Sequence, residues 1–274
     1  MKHSITIEGE ERELDIQAMD ESLIMYGKLR EAPLRRQDLE PPEPGTAAYT
    51  IQEFLRRQVR AIGSCLMLAW DGDRLVGKMH FTTRELAEAI GGAGPEPGGY
   101  CVDPYPTLGG CFAQKLQAFS DGEAEQLLRS ESRTLRVVCF NIANLDSRYH
   151  GQGIATVLLE YLKQWARERG WQRLEMRTYP DIVPARGPDN WDAGPWVLRR
   201  GALERRGFRV LHEITREPEE IDKRRRGIEE ASRAEDESWH EPDMRWHLES
   251  FRRIYAEERE GSDYDRDYLM VFDL

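Results

Sequence analysis

The sequence predicts a mixed α/β fold, and three observations carry the prediction. From Thr134 to Ile214 strand-like and helix-like patterns alternate: TLRVVCFNIANL, IATVLLEYLKQWARERG, WQRLEMRTY, WVLRRGALERRG and FRVLHEI. That order is the signature of a sheet with a helical crossover. Upstream, CLMLAW and RLVGKMHF flank Asp71-Gly72-Asp73, the strongest short-range signal for an antiparallel hairpin. Finally, 39% hydrophobic residues beside 32% charged ones supply a core without approaching the composition of a disordered or a membrane chain.

Taken in order, ELDIQ reads as a short strand and ESLIMYGKLREA as a helix, and the proline-bearing LEPPEPGT that follows cannot continue one. The next helix, TIQEFLRRQVRAIG, is expected to start at Thr50 as N-cap and end at Gly63, with Ile51, Phe54, Leu55, Val59 and Ile62 on one stripe. After the hairpin, residues 84–134 cluster glycine and proline without a sustained period. They read as a long insertion lacking regular structure, of the kind that forms a substrate-covering lid, a binding loop, a disordered tract or a plain surface excursion. The helix that begins at Ile154 is closed by Gly170.

Residues 213–274 hold 20 acidic and 11 basic residues, so −9 of the net −11 lies there. Met244, Leu248, Phe251 and Tyr255 fall on one helical face, and YLMVFDL reads as an added strand. The expected division is therefore a domain over 1–213 and an acidic, partly helical extension over 214–274. That extension is expected to pack on the core or on a sister subunit, which makes it the element through which a homo-oligomer would form.

A net charge of −11 argues against sequence-independent nucleic-acid binding and against an anionic membrane surface. The charged N-terminus and the lack of a long apolar run point to a cytoplasmic protein. Cys65, Cys101, Cys111 and Cys139 lack metal or redox spacing. Asp263, Asp265 and Asp267 start like a calcium loop but lack its sixth-position glycine and final glutamate. The histidines form no ligand pair, so no metal is expected.

The chemistry lies in the turn between the strand at 134 and the helix at 154: Tyr149-His150-Gly151-Gln152-Gly153-Ile154-Ala155. Glycines placed there let backbone N–H groups converge on an anion at the positive end of the helix dipole. No Gly-Lys-Ser/Thr follows, and the GxGxxG spacing of a dinucleotide fold is missing. HGQGIA resembles the acyl-CoA loop of the GNAT superfamily of N-acyltransferases, Q/R-x-x-G-x-G/A, with His150 where Arg or Gln is usual. Tyr149 is similar to the family's common tyrosine. The preceding hairpin, the following helix and strand, and the Gly-Phe of ERRGFRV agree with that order over roughly residues 12–213.

The resemblance implies a GNAT-like mixed, mostly antiparallel sheet flanked by helices, with acetyl-CoA or another acyl-CoA as donor substrate. Loop amides of residues 149–155 would hold the diphosphate, and the main chain of Ala143, Asn144 and Leu145 the pantetheine arm. It implies direct acyl transfer to a primary amine of a small molecule or peptide. Two departures bear on the mechanism: Leu203 stands five residues before Phe208, where many members carry an acidic tyrosine, and the loop with Pro184, Pro188, Asn190 and Trp191 displaces a frequent asparagine. Glu175 and Tyr179, on the strand after the helix, are the candidates for handling the proton. A non-catalytic acyl-CoA-binding module, or an oligomerising interaction protein on the same scaffold, stays open beside the enzyme.

Overall fold

The computed structural model describes residues 1–28, 44–45, 47–91, 121–142, 147–149, 151–178, 198, 200–215 and 266–274. The chain divides into two compact units, Met1–Glu175 with Leu274, and Met176–Asp273.

In the first unit five strands follow one another as sheet neighbours: β1 (Lys2–Ile7), β2 (Glu10–Ala18), β3 (Leu66–Asp71), β4 (Arg74–Thr83) and β5 (Thr134–Ile142). Every pairing among them is antiparallel. The mostly antiparallel α/β architecture expected from the sequence is thus the one observed. β1 adds to the expected elements. Its Ile5 and Ile7 are buried, and it turns into β2 through Glu8 and Gly9 at φ 53° and 85°, both positive as a type I′ hairpin turn requires. The hairpin of β3 and β4 closes as expected, with Asp71 opposite Arg74 and Gly72 at φ 59°.

Helices cover both faces. α1 (Ala47–Ile62) puts Phe54, Leu55 and Val59 into a cluster with Leu66, Leu68 and Trp70 of β3. Thr50 lies inside this helix, not at its N-cap, because the helix starts three residues earlier; Gly63 ends it as expected, at φ 89°. The segment expected to form a helix after β2 is a 3-10 helix, Glu21–Lys28. The insertion over 84–134 is not devoid of regular structure: it begins with α2 (Arg84–Gly91) and carries α3 (Asp121–Arg129) near its end. Thr83 explains the start of α2, since its hydroxyl accepts the Leu86 N–H (3.3 Å), a side-chain N-cap, while donating to the Leu127 carbonyl of α3 (2.9 Å). The glycine and proline cluster that dominated the reading lies between these helices, outside the described residues.

On the other face lies α4 (Ile154–Glu168), which buries Ile154, Leu158, Leu159, Leu162, Trp165 and Ala166. Trp165 meets Phe81 of β4 edge to face, with centroids 5.3 Å apart. Gly170, at φ 71°, terminates α4 in a Schellman arrangement, with Trp171 N–H on the Ala166 carbonyl (3.0 Å) and Gly170 N–H on the Arg167 carbonyl (2.9 Å). β6 (Arg173–Thr178) follows and crosses the unit boundary.

In the second unit a turn through Gly207 leads from α5 (Arg200–Glu204) to β7 (Arg209–Thr215), and β8 (Arg266–Asp273) pairs with β7 antiparallel. The C-terminal strand expected from YLMVFDL is therefore present. The helical stripe from Met244 to Tyr255 and the loop around Trp191 lie outside the described residues. Among the described residues no helix is long and apolar enough to cross a membrane, and no group of side chains has the make-up of a metal site.

Candidate functional site

β5 ends at Ile142, a 3-10 turn forms at Ser147–Tyr149, and α4 starts at Ile154. Gly151 and Gly153 both take left-handed backbone conformations, at φ 71° and 77°, which cost an L-residue roughly 1–2 kcal/mol and glycine nothing comparable. Among the described residues, a Cβ built on either would meet no atom within 4 Å beyond its chain neighbours. Both glycines are therefore required by backbone geometry, and the space above them is open. The first hydrogen bond of α4 runs from Val157 N–H to the Gly153 carbonyl (3.0 Å), and no side chain caps the helix. The N–H groups of Ile154 and Ala155 thus lie outside the helical ladder. Left-handed glycines beside an uncapped helix N-terminus form the cradle that an anion such as a diphosphate fits.

One end of the loop is tied to the sheet. Tyr149 is 1% exposed, and its hydroxyl donates to Asp71 Oδ2 at 2.6 Å; the same oxygen accepts from Arg12 Nη1 at 3.0 Å. Burial, then the bond to the Asp71 carboxylate, pushes the phenol up to about 12. An unfolded tyrosine titrates near 10. Because the folded value is the higher, this interaction stabilises the protein fully below pH ~10 and is lost as pH rises through ~12. Denaturant titrations between those pH values are expected to show a steeper loss of stability for the natural chain than for Tyr149→Phe.

A family model described as Acetyltransferase (GNAT) family matches residues 144–187, which span this loop, α4 and β6. Over residues 144–187 the chain is similar to that family. No curated protein matches the chain. Among solved structures, a mutant agmatine N-acetyltransferase in its apo form aligns at 13% identity over 95% of this chain and 99% of its own, with a TM-score of 0.43. A Drosophila melanogaster polyamine N-acetyltransferase aligns at 13% identity over 95% and 100%, with a TM-score of 0.41. The GNAT-like decarboxylase GphF, in complex with isobutyryl-CoA, aligns at 12% over 94% and 98%, with a TM-score of 0.41.

Of the residues expected to line the donor site in the GNAT segment, Tyr149, Gly151, Gln152, Gly153, Ile154 and Ala155 come together at the start of α4. Gln152 Nε2 lies 3.5 Å from the Arg148 carbonyl. Ala143, Asn144, Leu145 and His150 lie outside the described residues, as does Tyr179. Glu175 occupies a different place from that expected of an accessible strand end. It is 1% exposed and takes both Nη2 (2.6 Å) and Nε (3.2 Å) of Arg136 on Oε2, with Arg84 Nη1 3.9 Å from Oε1. Arg136 stands six residues before the end of β5, about 20 Å along a strand from the loop. Glu175 is thus paired with cationic side chains of β5 and α2. Leu203, where a tyrosine is frequent in the family, is a fully buried core residue of the second unit.

The sequence reading missed a polar row on β4. Lys78, His80 and Thr82 are all buried and lie opposite Asn141, Cys139 and Arg136 of β5. A register shift between His80 and Phe81 puts a β-bulge beside His80, a device that re-aims side chains and recurs near active sites. Burial, with Lys78 adding to it, holds the His80 imidazole well below its ordinary range, in the neutral form. The signal was present in RLVGKMHFTT: polar residues at every second position of an otherwise apolar strand.

Proposed function

We propose that the protein is an acyl-CoA-dependent acyltransferase that moves an acyl group, acetyl first among them, to a primary amine. The carrying observation is the pair of left-handed glycines at the uncapped start of α4, inside the segment that the GNAT family model matches. The loop amides would hold the diphosphate, and the main chain beyond β5 the pantetheine arm. Acetyl-CoA, when bound, supplies a thioester.

An amine must be neutral to attack, and its proton needs an acceptor once the new C–N bond forms. His80 suits that role better than Glu175. Burial keeps its imidazole neutral, and its β5 partner Cys139 lies three residues nearer the end of β5 than Arg136, with Leu66 of β3 as its other strand neighbour and Lys78 two residues away. Tyr179 keeps its expected place as the alternative. His80→Gln is expected to lower kcat on the order of 100-fold while acetyl-CoA affinity stays within about twofold; unchanged kcat would return the role to Tyr179.

The function itself is tested by calorimetric titration of the full chain with acetyl-CoA, followed by thiol release over polyamines, basic peptides and neutral amines. Binding with turnover on one amine class supports the enzyme. Binding without turnover on any of them favours the non-catalytic module, to which the core leucine at 203 is suited. A folded protein that does not bind acetyl-CoA refutes both.

A further inference from the structure

We propose that Asp71 is a positioning residue for the phosphate-binding loop: it holds the loop through Tyr149, is itself held by Arg12, and so makes the N-terminal strands a determinant of donor affinity. The inference rests on the acyl-CoA reading given above.

Two glycines within three residues leave the loop a large backbone entropy to lose before its amides can converge on an anion. Something other than the ligand must therefore hold the loop in the folded chain. Tyr149 is two residues before Gly151, with its ring buried and its hydroxyl 2.6 Å from Asp71 Oδ2. Asp71 is a rigid anchor, because it closes β3 at the Gly72 turn and is register-paired with both Leu14 of β2 and Arg74 of β4.

The Arg12 guanidinium completes the device from β2. It donates to the same Asp71 oxygen at 3.0 Å, fixing the carboxylate's orientation and offsetting its negative charge. A hydrogen bond onto a charged acceptor of this kind is among the stronger ones. Arg148, the residue before Tyr149, also faces the first hairpin, with Nη1 3.7 Å from Glu8. That pair is exposed and adds little. Position on the sheet, shared oxygen and buried ring all converge on the one residue that leads into the glycines.

The test uses the full chain and three variants, Tyr149→Phe, Asp71→Asn and the double. Each single change is expected to weaken acetyl-CoA binding about tenfold, the size of one charge-assisted hydrogen bond. The double should be no worse than the weaker single, since both remove the same link. In turnover the loss should fall on the donor's KM more than on kcat. Amide exchange read by mass spectrometry on the free protein should quicken over residues 147–155 while β3 and β4 keep their protection. Tyr149→Phe keeps the ring and its packing, so it remains informative if Asp71→Asn folds poorly.

Donor affinity and loop exchange both equal to the natural chain in Tyr149→Phe would overturn the proposal, as would a loss spread evenly over the whole sheet. If the natural chain does not bind acetyl-CoA at all, the acyl-CoA reading fails. Loop exchange then still decides the positioning role: quickened exchange confined to 147–155 supports it and unchanged exchange overturns it.

Discussion

Gly153→Val is expected to raise the Kd for acetyl-CoA at the proposed donor site by roughly 100-fold or more in a chain that remains folded. Gly153 sits at φ 77° as the residue that opens α4. A non-glycine residue there bears roughly 1–2 kcal/mol of strain, and a β-branched one more. The chain can relieve that strain by rotating out of the left-handed region, which turns the Ile154 amide away from its neighbours. If it does not rotate, the valine methyls enter the space around the added Cβ that the described residues leave open, the space an anion would need. Either response removes the cradle. Because the same space is open, no core contact is lost and thermal stability should fall only modestly. Calorimetry with acetyl-CoA beside a melting curve separates the two quantities. Retained binding in Gly153→Val would mean that the glycine serves the turn alone.

Arg136→Leu is expected to destabilise the fold most. Arg136 and Glu175 are 3% and 1% exposed and joined at 2.6 Å. Removing one partner strands a buried charge, which costs about 3–5 kcal/mol. The Arg136 Nη2 contact to Glu88 of α2 (3.0 Å) is lost with it, so the first helix of the insertion loosens from β5. For a chain of this size the loss corresponds to a fall in Tm on the order of 10 °C. The double variant Arg136→Leu/Glu175→Leu should recover most of the loss, because an apolar pair replaces a desolvated ionic one at nearly equal free energy. By contrast, the exposed pairs Lys2 with Glu13 (3.2 Å) and Arg209 with Asp273 (2.9 Å) are each expected to contribute less than about 1 kcal/mol. Chemical denaturation of the natural chain, the two single variants and the double measures this, and a double variant as unstable as the single would contradict the ion-pair account.

The elements legible in the sequence are those whose signals are local. The Asp-Gly turn set the β3–β4 hairpin, the 3.6-residue stripe set α1 and α4, and Gly63 and Gly170 marked their ends. The loop glycines were legible for the same reason, since a left-handed turn between strand and helix is a demand that one residue type meets. The misreadings have local causes too. Thr50 looked like an N-cap because it precedes the apolar stripe, yet the helix extends three residues before it. The insertion looked structureless because its glycines and prolines outweighed the two short helices at its ends.

Local chemistry alone dictates the order of strands and helices, the hairpin, and a left-handed glycine turn before a helix, because each depends on residues within a few positions of one another. Which side chains meet is a property of the folded sheet. Glu175 could not be assigned to a buried pair until β5 lay beside it with Arg136, 39 positions away. Tyr149 could not be read as the tie of the loop until β3 brought Asp71 to its hydroxyl across 78 positions. A carboxylate or a phenol has the same letters whether it faces water or an arginine, and its chemistry is set by burial and by the charge opposite, which only the packed strands supply.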